Sequence, residues 1–176
     1  MEPIEQLAKP LSEGAAQFMS KRDLSAGYAL IKEFEGCELE AYPDPASGNL
    51  PITIAFGSTR KLDGSAWQLG DRVSQEEAEE LLRYQAENEF LPELAKIPCW
   101  ESLTDNQQGA LLSFAWNVGA NFYGSGGFYT ISGVLDDGDF ENMRAALLLY
   151  VNPGSNVEEG LRRRRNAEAD LFESPQ

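Results

Sequence analysis

The sequence predicts an α+β fold: a small antiparallel sheet lobe early in the chain, a mainly helical lobe after it, and a long helix joining the two. Three observations predict it. Between Cys37 and Gly57 short alternating segments are separated by turn residues, as in paired strands. From Ser74 onward the apolar period lengthens to helical spacing, and "QQGALLSFAWNVG" is apolar nearly all round, as a central buried helix would be.

Residues 1–22 form an N-terminal arm to which no chemistry is assigned, and residues 23–176 form the domain, with the sheet lobe at about 37–73. The helical lobe takes in about 74–176 together with a first helix at 25–35. That helix, "SAGYALIKEFEG", has Ser25 as the expected N-cap, Leu30 and Phe34 on one face and Gly36 as a left-handed C-cap, which puts Glu35 in the last turn. "CELEAY" alternates Cys37, Leu39 and Ala41 against Glu38 and Glu40, and "PDPASGN" is a turn. In "PITIAFG" the side chains of Ile52, Ile54 and Phe56 are expected to point one way and Thr53, Ala55 and Gly57 the other, so that Thr53 faces a cleft. A further turn is marked by Asp63 and Gly64.

Ser74 and Glu77 make a capping box for the longest helix, with Pro92 placed to interrupt it and Pro98 to end it. Thr104 and Gln107 make a second box, for the central helix, which Gly119 closes before a glycine-rich bend. Shorter helices are expected around 128–136 and 139–150. A last helix, "VEEGLRRRRNAEADLF", offers Leu161, Ala167 and Leu171 as its inner stripe.

A chain of 176 residues buries roughly 70% of its unfolded surface and needs no staple. With 14 basic and 29 acidic residues its net charge is −15, which argues against generic nucleic-acid or anionic-membrane binding. Histidine is absent, so histidine metal sites, Ser-His-Asp triads and Cys-His pairs are excluded. Proton transfer must then use carboxylates, Tyr, Lys or water. The two cysteines, Cys37 and Cys99, form no Cys-x-x-Cys motif and are expected as free thiols. No apolar run is long enough for a signal peptide or membrane span, so a chain made in the cytoplasm is expected; a monomer is expected as well. Crossing a membrane then requires another protein or lysis.

The acids Glu35 and Asp44 sit in unlike settings. A carboxyl in the final turn of a helix meets the negative end of the macrodipole, and partial burial adds desolvation; both favour its protonated form. Asp44, in a loop rich in backbone N–H groups and water, is expected to stay ionised. Two acids pushed apart in this way suit glycoside hydrolysis, and a Thr53 hydroxyl near the second acid could hold a water. Taken alone, though, an acid before a C-cap is usually solvent-facing and "PDP" is usually only a turn.

The ordered set "FEG…AYPD…G…TIAFG" resembles the active-site region of phage-type lysozymes, glycoside hydrolase family 24, and "LTDNQQGALLSFAWNVG" and "GLRRRRNAEADLF" are similar to later signatures of that family. The resemblance covers about residues 25–172 and implies a lysozyme-like fold without metal or cofactor. It further implies an endolysin, a muramidase hydrolysing the β-1,4 bond between N-acetylmuramic acid and N-acetylglucosamine in peptidoglycan, with inversion. Glu35 is then the general acid, Asp44 the second carboxylate, and Thr53 the hydroxyl that helps place the water. Trp116 and Asn117 would line the sugar cleft, although core packing is the plainer reading of Trp116. Arg163 or Arg164 would lie near the acid. Two positions depart from the pattern: Ala55 stands where the family has glycine and Ser58 where it has histidine. A non-catalytic peptidoglycan-binding module of the same fold and a lytic transglycosylase are the competing readings.

Overall fold

A computed structural model describes residues 22–43 and 50–175. Residues 1–21 of the expected arm, and the loop carrying Asp44, lie outside the described residues.

Helix α1 (Ser25–Glu35) begins one residue before the place the sequence suggests. Leu24 is the N-cap and Ser25 is already helical; the cap is supplied from further back, because Asp23 Oδ1 accepts the Ser25 N–H at 3.0 Å. At the other end Gly36 has φ 68° but ψ 175°, a conformation open to glycine that sends the chain straight outward instead of curling it back. The next residues therefore enter strand β1 (Glu38–Pro43), which pairs antiparallel with β2 (Ile52–Ala55). Glu38 stands opposite Ala55 and Tyr42 opposite Thr53, with a register shift between the two pairs. The far edge of β1 is bonded by Ala41 N–H to Asp71 O at 2.9 Å and Val73 N–H to Leu39 O at 3.0 Å.

The alternation expected in "CELEAY" holds only in part. Ala41 is buried, but Leu39 is 40% exposed, because the register shift falls between Glu38 and Tyr42 and re-aims the side chains there. In β2 the expected two-faced pattern is replaced by burial of Thr53, Ile54 and Ala55 alike. Both faces are covered, one of them by the helix that follows the sheet. Ile54 and Ser58 then exchange two backbone hydrogen bonds, each 2.9 Å, around a three-residue loop with φ 56° at Ala55 and 96° at Gly57. Ala55, one of the two departures from the resemblance, thus sits on a position that demands left-handed backbone.

The joining helix starts at the expected capping box of Ser74 and Glu77 and runs through α2 (Gln75–Gln85), a π turn (Ala86–Phe90) and α3 (Leu91–Leu94). The interruption assigned to Pro92 appears as the widened turn just before it, where the Leu91 N–H reaches Ala86 O. Proline has no N–H to give and crowds the preceding turn, and a π turn absorbs both defects without breaking the rod. Helix α4 (Asp105–Val118) has its Thr104 and Gln107 box and is buried from Gln108 to Ala115. Helix α5 (Tyr129–Asp137) matches its expectation, whereas the helix expected at 139–150 is a 3-10 turn (Phe140–Asn142) followed by the short α6 (Met143–Leu147).

Helix α7 (Glu158–Glu173) packs on α4, and α4 packs in turn on α1. Its inner face is not the expected stripe. Leu161, Ala167 and Leu171 are half-buried, while Arg164, Arg165, Glu168, Ala169 and Phe172 are buried. Charges can hold the core face here because they neutralise one another, a pattern that apolar periodicity cannot register. Around them Phe114 packs edge-on to Phe122 at 5.0 Å and against Tyr150 at 5.4 Å. Among the described residues no helix is long and apolar enough to cross a membrane.

Candidate active site

Glu35 is the last residue of α1, and its position follows from how that helix is seated. Gly27 of α1 lies against Gly109 of α4, so the two helices cross at backbone contact and the C-terminal end of α1 is carried over α7. There the Arg164 Nη1 donates to Glu35 Oε1 at 2.6 Å. The Glu35 side chain is 26% exposed and that of Arg164 only 5%, so the carboxyl is at the surface of a pair whose cation is buried. Of the two arginines proposed for this role, Arg164 is the one in place; Arg163 is exposed.

Behind the pair is a network centred on the buried Arg164, Arg165, Glu168 and Ser113. Arg164 Nε donates to Glu168 Oε1 at 3.1 Å, Nη2 donates to the Ser113 carbonyl at 2.9 Å, and the guanidinium lies 5.7 Å from the Phe34 ring. The other Glu168 oxygen accepts from Arg165 Nη1. Arg165 also donates from Nε to the Tyr150 carbonyl at 3.1 Å and from Nη2 to Asn117 Oδ1, and its guanidinium lies over the Phe114 ring at 4.6 Å. Ser113 Oγ donates to Glu168 Oε1 at 2.8 Å. Burial pushes the Glu168 carboxyl up and the two guanidiniums pull it back; burial likewise pushes Arg165 down against the attraction of Glu168. Two cations and one anion leave the buried cluster with a single positive charge, and Arg164 turns that cluster toward Glu35.

Thr53 is buried, and its Oγ1 donates to the Pro51 carbonyl at 3.4 Å. It faces Tyr42 across the sheet, two residues before Asp44 in the sequence, while Glu38, three residues after Glu35, faces Ala55 on the same strand. The sheet register thus ties the segment leaving the acid to the strand that carries the hydroxyl. Trp116 is half-buried: its indole Nε1 donates to the Phe56 carbonyl at 3.3 Å and its ring stacks on Phe90 at 4.5 Å, inclined by 17°. It therefore links α4 both to the loop after β2 and to the π turn. Asn117 is exposed, with its carbonyl oxygen fixed by Arg165.

The structure brings Glu35 and Asn117 onto one hydrogen-bonded network and sets Trp116 against the sheet side. Composition reading missed Glu168, Arg165 and Ser113. The signal for the first two was present in "RRNAE", where Arg164 and Arg165 stand four and three residues before Glu168, spacings that share a helix face. Cys37 and Cys99 are free, and burial pushes both thiols up. Among the described residues no group of three acidic, Cys or His side chains could hold a metal ion.

The phage lysozyme family pattern matches residues 32–168. The endolysin of Lactococcus phage c2 is 32% identical over 151 residues, covering 85% of this chain and 59% of that protein. The endolysin of Bacillus phage B103 is 34% identical, covering 84% of this chain and 52% of its own length. This chain thus spans little more than half of those two relatives. It matches the endolysin of Salmonella phage P22 at 32% identity over 94% of that protein. Among solved structures, an endolysin from Escherichia coli O157:H7 phage FAHEc1 superposes with a TM-score of 0.68 at 28% identity, covering 89% of this chain and 98% of that one. A mutant of P22 lysozyme superposes at 0.59 with 29% identity, covering 85% of this chain and 97% of that one. With a family pattern spanning most of its length and a relative matched almost end to end, the chain belongs to the phage lysozyme family.

Proposed function

We propose that this protein is an endolysin that hydrolyses the β-1,4 bond between N-acetylmuramic acid and N-acetylglucosamine in peptidoglycan. The observation that carries the reading is the seating of Glu35: a partly exposed carboxyl at a helix end, fixed at 2.6 Å by a buried guanidinium, in a chain of this family. Glu35 gives its proton to the glycosidic oxygen as the C1–O bond breaks. A water held by Asp44 and Thr53 attacks C1 from the opposite face and passes a proton to Asp44, which leaves the α-anomer. Arg164 keeps the acid oriented, so that the proton is delivered without a search for geometry. Trp116 and Asn117 line the bound glycan, and a holin or another export route gives the enzyme access to the wall.

Two measurements test this. Glu35→Gln should lower the rate of turbidity loss of permeabilised cells by a factor of about 100 or more, with the melting temperature little changed. Wild-type rates in that variant would remove the acid from the mechanism. Mass and anomeric analysis of fragments released from purified peptidoglycan should give reducing ends that are first formed as the α-anomer. Fragments ending in a 1,6-anhydro sugar would instead establish transglycosylation, and no fragments at all a binding module.

A further inference from the structure

Glu168 divides its two oxygens between neighbouring guanidiniums. Oε1 takes Arg164 Nε and Ser113 Oγ, and Oε2 takes Arg165 Nη1. Each guanidinium then gives another arm to a residue nearer the surface: Arg164 to Glu35, and Arg165 to Asn117. We propose that Glu168 is a positioning residue that sets how strongly Arg164 holds Glu35, and that couples this hold to Asn117 on the glycan side. The inference rests on the reading of Glu35 as the general acid.

The geometry favours this over a purely structural role. Arg164 turns Nε toward Glu168, Nη2 toward the Ser113 carbonyl and Nη1 toward Glu35, so that the planar group meets a partner on each side. Fixed by the first two, it presents Nη1 to the acid in one orientation. Its attraction for Glu35 also depends on how much of its charge Glu168 already offsets. The charged groups facing Glu168 are Arg164 and Arg165 on its own helix; α4 contributes Ser113, and the segment after α6 contributes the Tyr150 carbonyl to Arg165. On α1, Lys32 is committed to Glu79 at 3.2 Å. Removing the Glu168 charge would leave two uncompensated cations behind Glu35, and removing Arg165 instead would leave none. The two changes must then move the acid in opposite directions.

The test is the pH dependence of wall hydrolysis. The rate falls on the alkaline side as the acid loses its proton, and that limb reports the hold on Glu35. Glu168→Gln should move it to lower pH by about one unit, the size expected for one charge at a few ångströms' remove in a partly screened interior. Arg165→Gln should move it to higher pH by a similar amount, and the double variant should bring it back near the wild-type position. A simply structural Glu168 would lower the rate at every pH and leave the limb where it is. Limbs unmoved in both single variants, or moved in the same direction, overturn the inference. Circular dichroism and melting curves identify which variants fold; if Glu168→Gln does not, the direction of the Arg165→Gln displacement decides. Wild-type activity in Glu35→Gln would defeat the underlying acid assignment instead, whereas an inactive Glu35→Gln beside unmoved limbs defeats the role of Glu168 alone.

Discussion

Gly27 of α1 and Gly109 of α4 touch backbone to backbone: a Cβ built on Gly27 would lie 2.5 Å from the Gly109 Cα and 2.6 Å from its carbonyl oxygen. Neither obstacle is a flexible side chain, so the helices would have to separate. In an open helix, replacing glycine with alanine gains about 1 kcal/mol. Here the obstacles are rigid backbone closer than 3 Å, so the overpacking falls in the upper part of the usual range, about 2–3 kcal/mol, and outweighs it. Gly27→Ala should lower the melting temperature by about 2–6 °C and should reduce activity further than that loss explains, because α1 carries Glu35 to Arg164. A melting temperature at or above wild type would show that the crossing is not as close as described.

Ala55 gives the opposite case, a side chain where glycine would serve better. It sits at φ 56° inside the loop closed by Ile54 and Ser58. Left-handed backbone costs a non-glycine residue roughly 1–2 kcal/mol. Removing a buried methyl gives back up to about 0.8 kcal/mol of that relief. Ala55→Gly should therefore stabilise the protein by up to about 1 kcal/mol, read as a higher denaturant midpoint at unchanged slope. A lower midpoint would mean that the methyl packs better than the backbone is strained.

These two positions also mark what the sequence could tell. The capping boxes at Ser74 and Thr104, the buried centre of α4 and the placing of Glu35 in the last turn of α1 all depend on residues within a few positions of one another, and they were legible. The choice between Arg163 and Arg164 was not, because it depends on which face of α7 meets α1, 129 residues away in sequence from Glu35. Glu168 was passed over for a different reason: a search for apolar spacing counts a buried ionic cluster as exposed surface, and only the three- and four-residue spacing to Arg165 and Arg164 signals it. The exposure of Leu39 required the register shift in β1, and the tight approach at Gly27 required its partner on another helix. Local setting offered Asp44 as a second acid but could not lift it above a turn residue; the family resemblance proposes its role, and it lies outside the described residues.

Tyr123 provides a test by ultraviolet titration. Its hydroxyl donates to Asp136 Oδ1, and that hydrogen bond, with a smaller contribution from burial, pushes its pKa up to about 12. Ionising the phenol would remove the donor and set two negative charges side by side. Because the value is raised in the fold, the bond contributes stability that is complete below the unfolded value near 10 and is lost as pH rises through about 12. Burial also holds Tyr28 and Tyr150 above the ordinary value. Absorbance at alkaline pH should thus show a late tyrosine that disappears in Tyr123→Phe and moves down toward 10 in Asp136→Asn. The same late step persisting in Tyr123→Phe would assign it elsewhere.

The net charge of −15 bears on the proposed activity at the wall. A bacterial wall rich in anionic polymer repels such a protein, and the repulsion is long-ranged only while salt is dilute: the Debye length is about 30 Å at 0.01 M and about 8 Å at 0.15 M. Encounter with the substrate should therefore quicken as salt rises, the reverse of what a basic enzyme would show. The buried network behind Glu35 is shielded from solvent ions, so chemistry at the bound site should change much less over the same range. The rate on purified walls at limiting substrate should accordingly climb from low salt to about 0.15 M, with most of the change in KM and little in kcat. On walls stripped of anionic polymer the rise should flatten. A rate that falls steadily from the lowest salt upward would mean that a local attraction, with the exposed Arg162 and Arg163 the first candidates, outweighs the net charge.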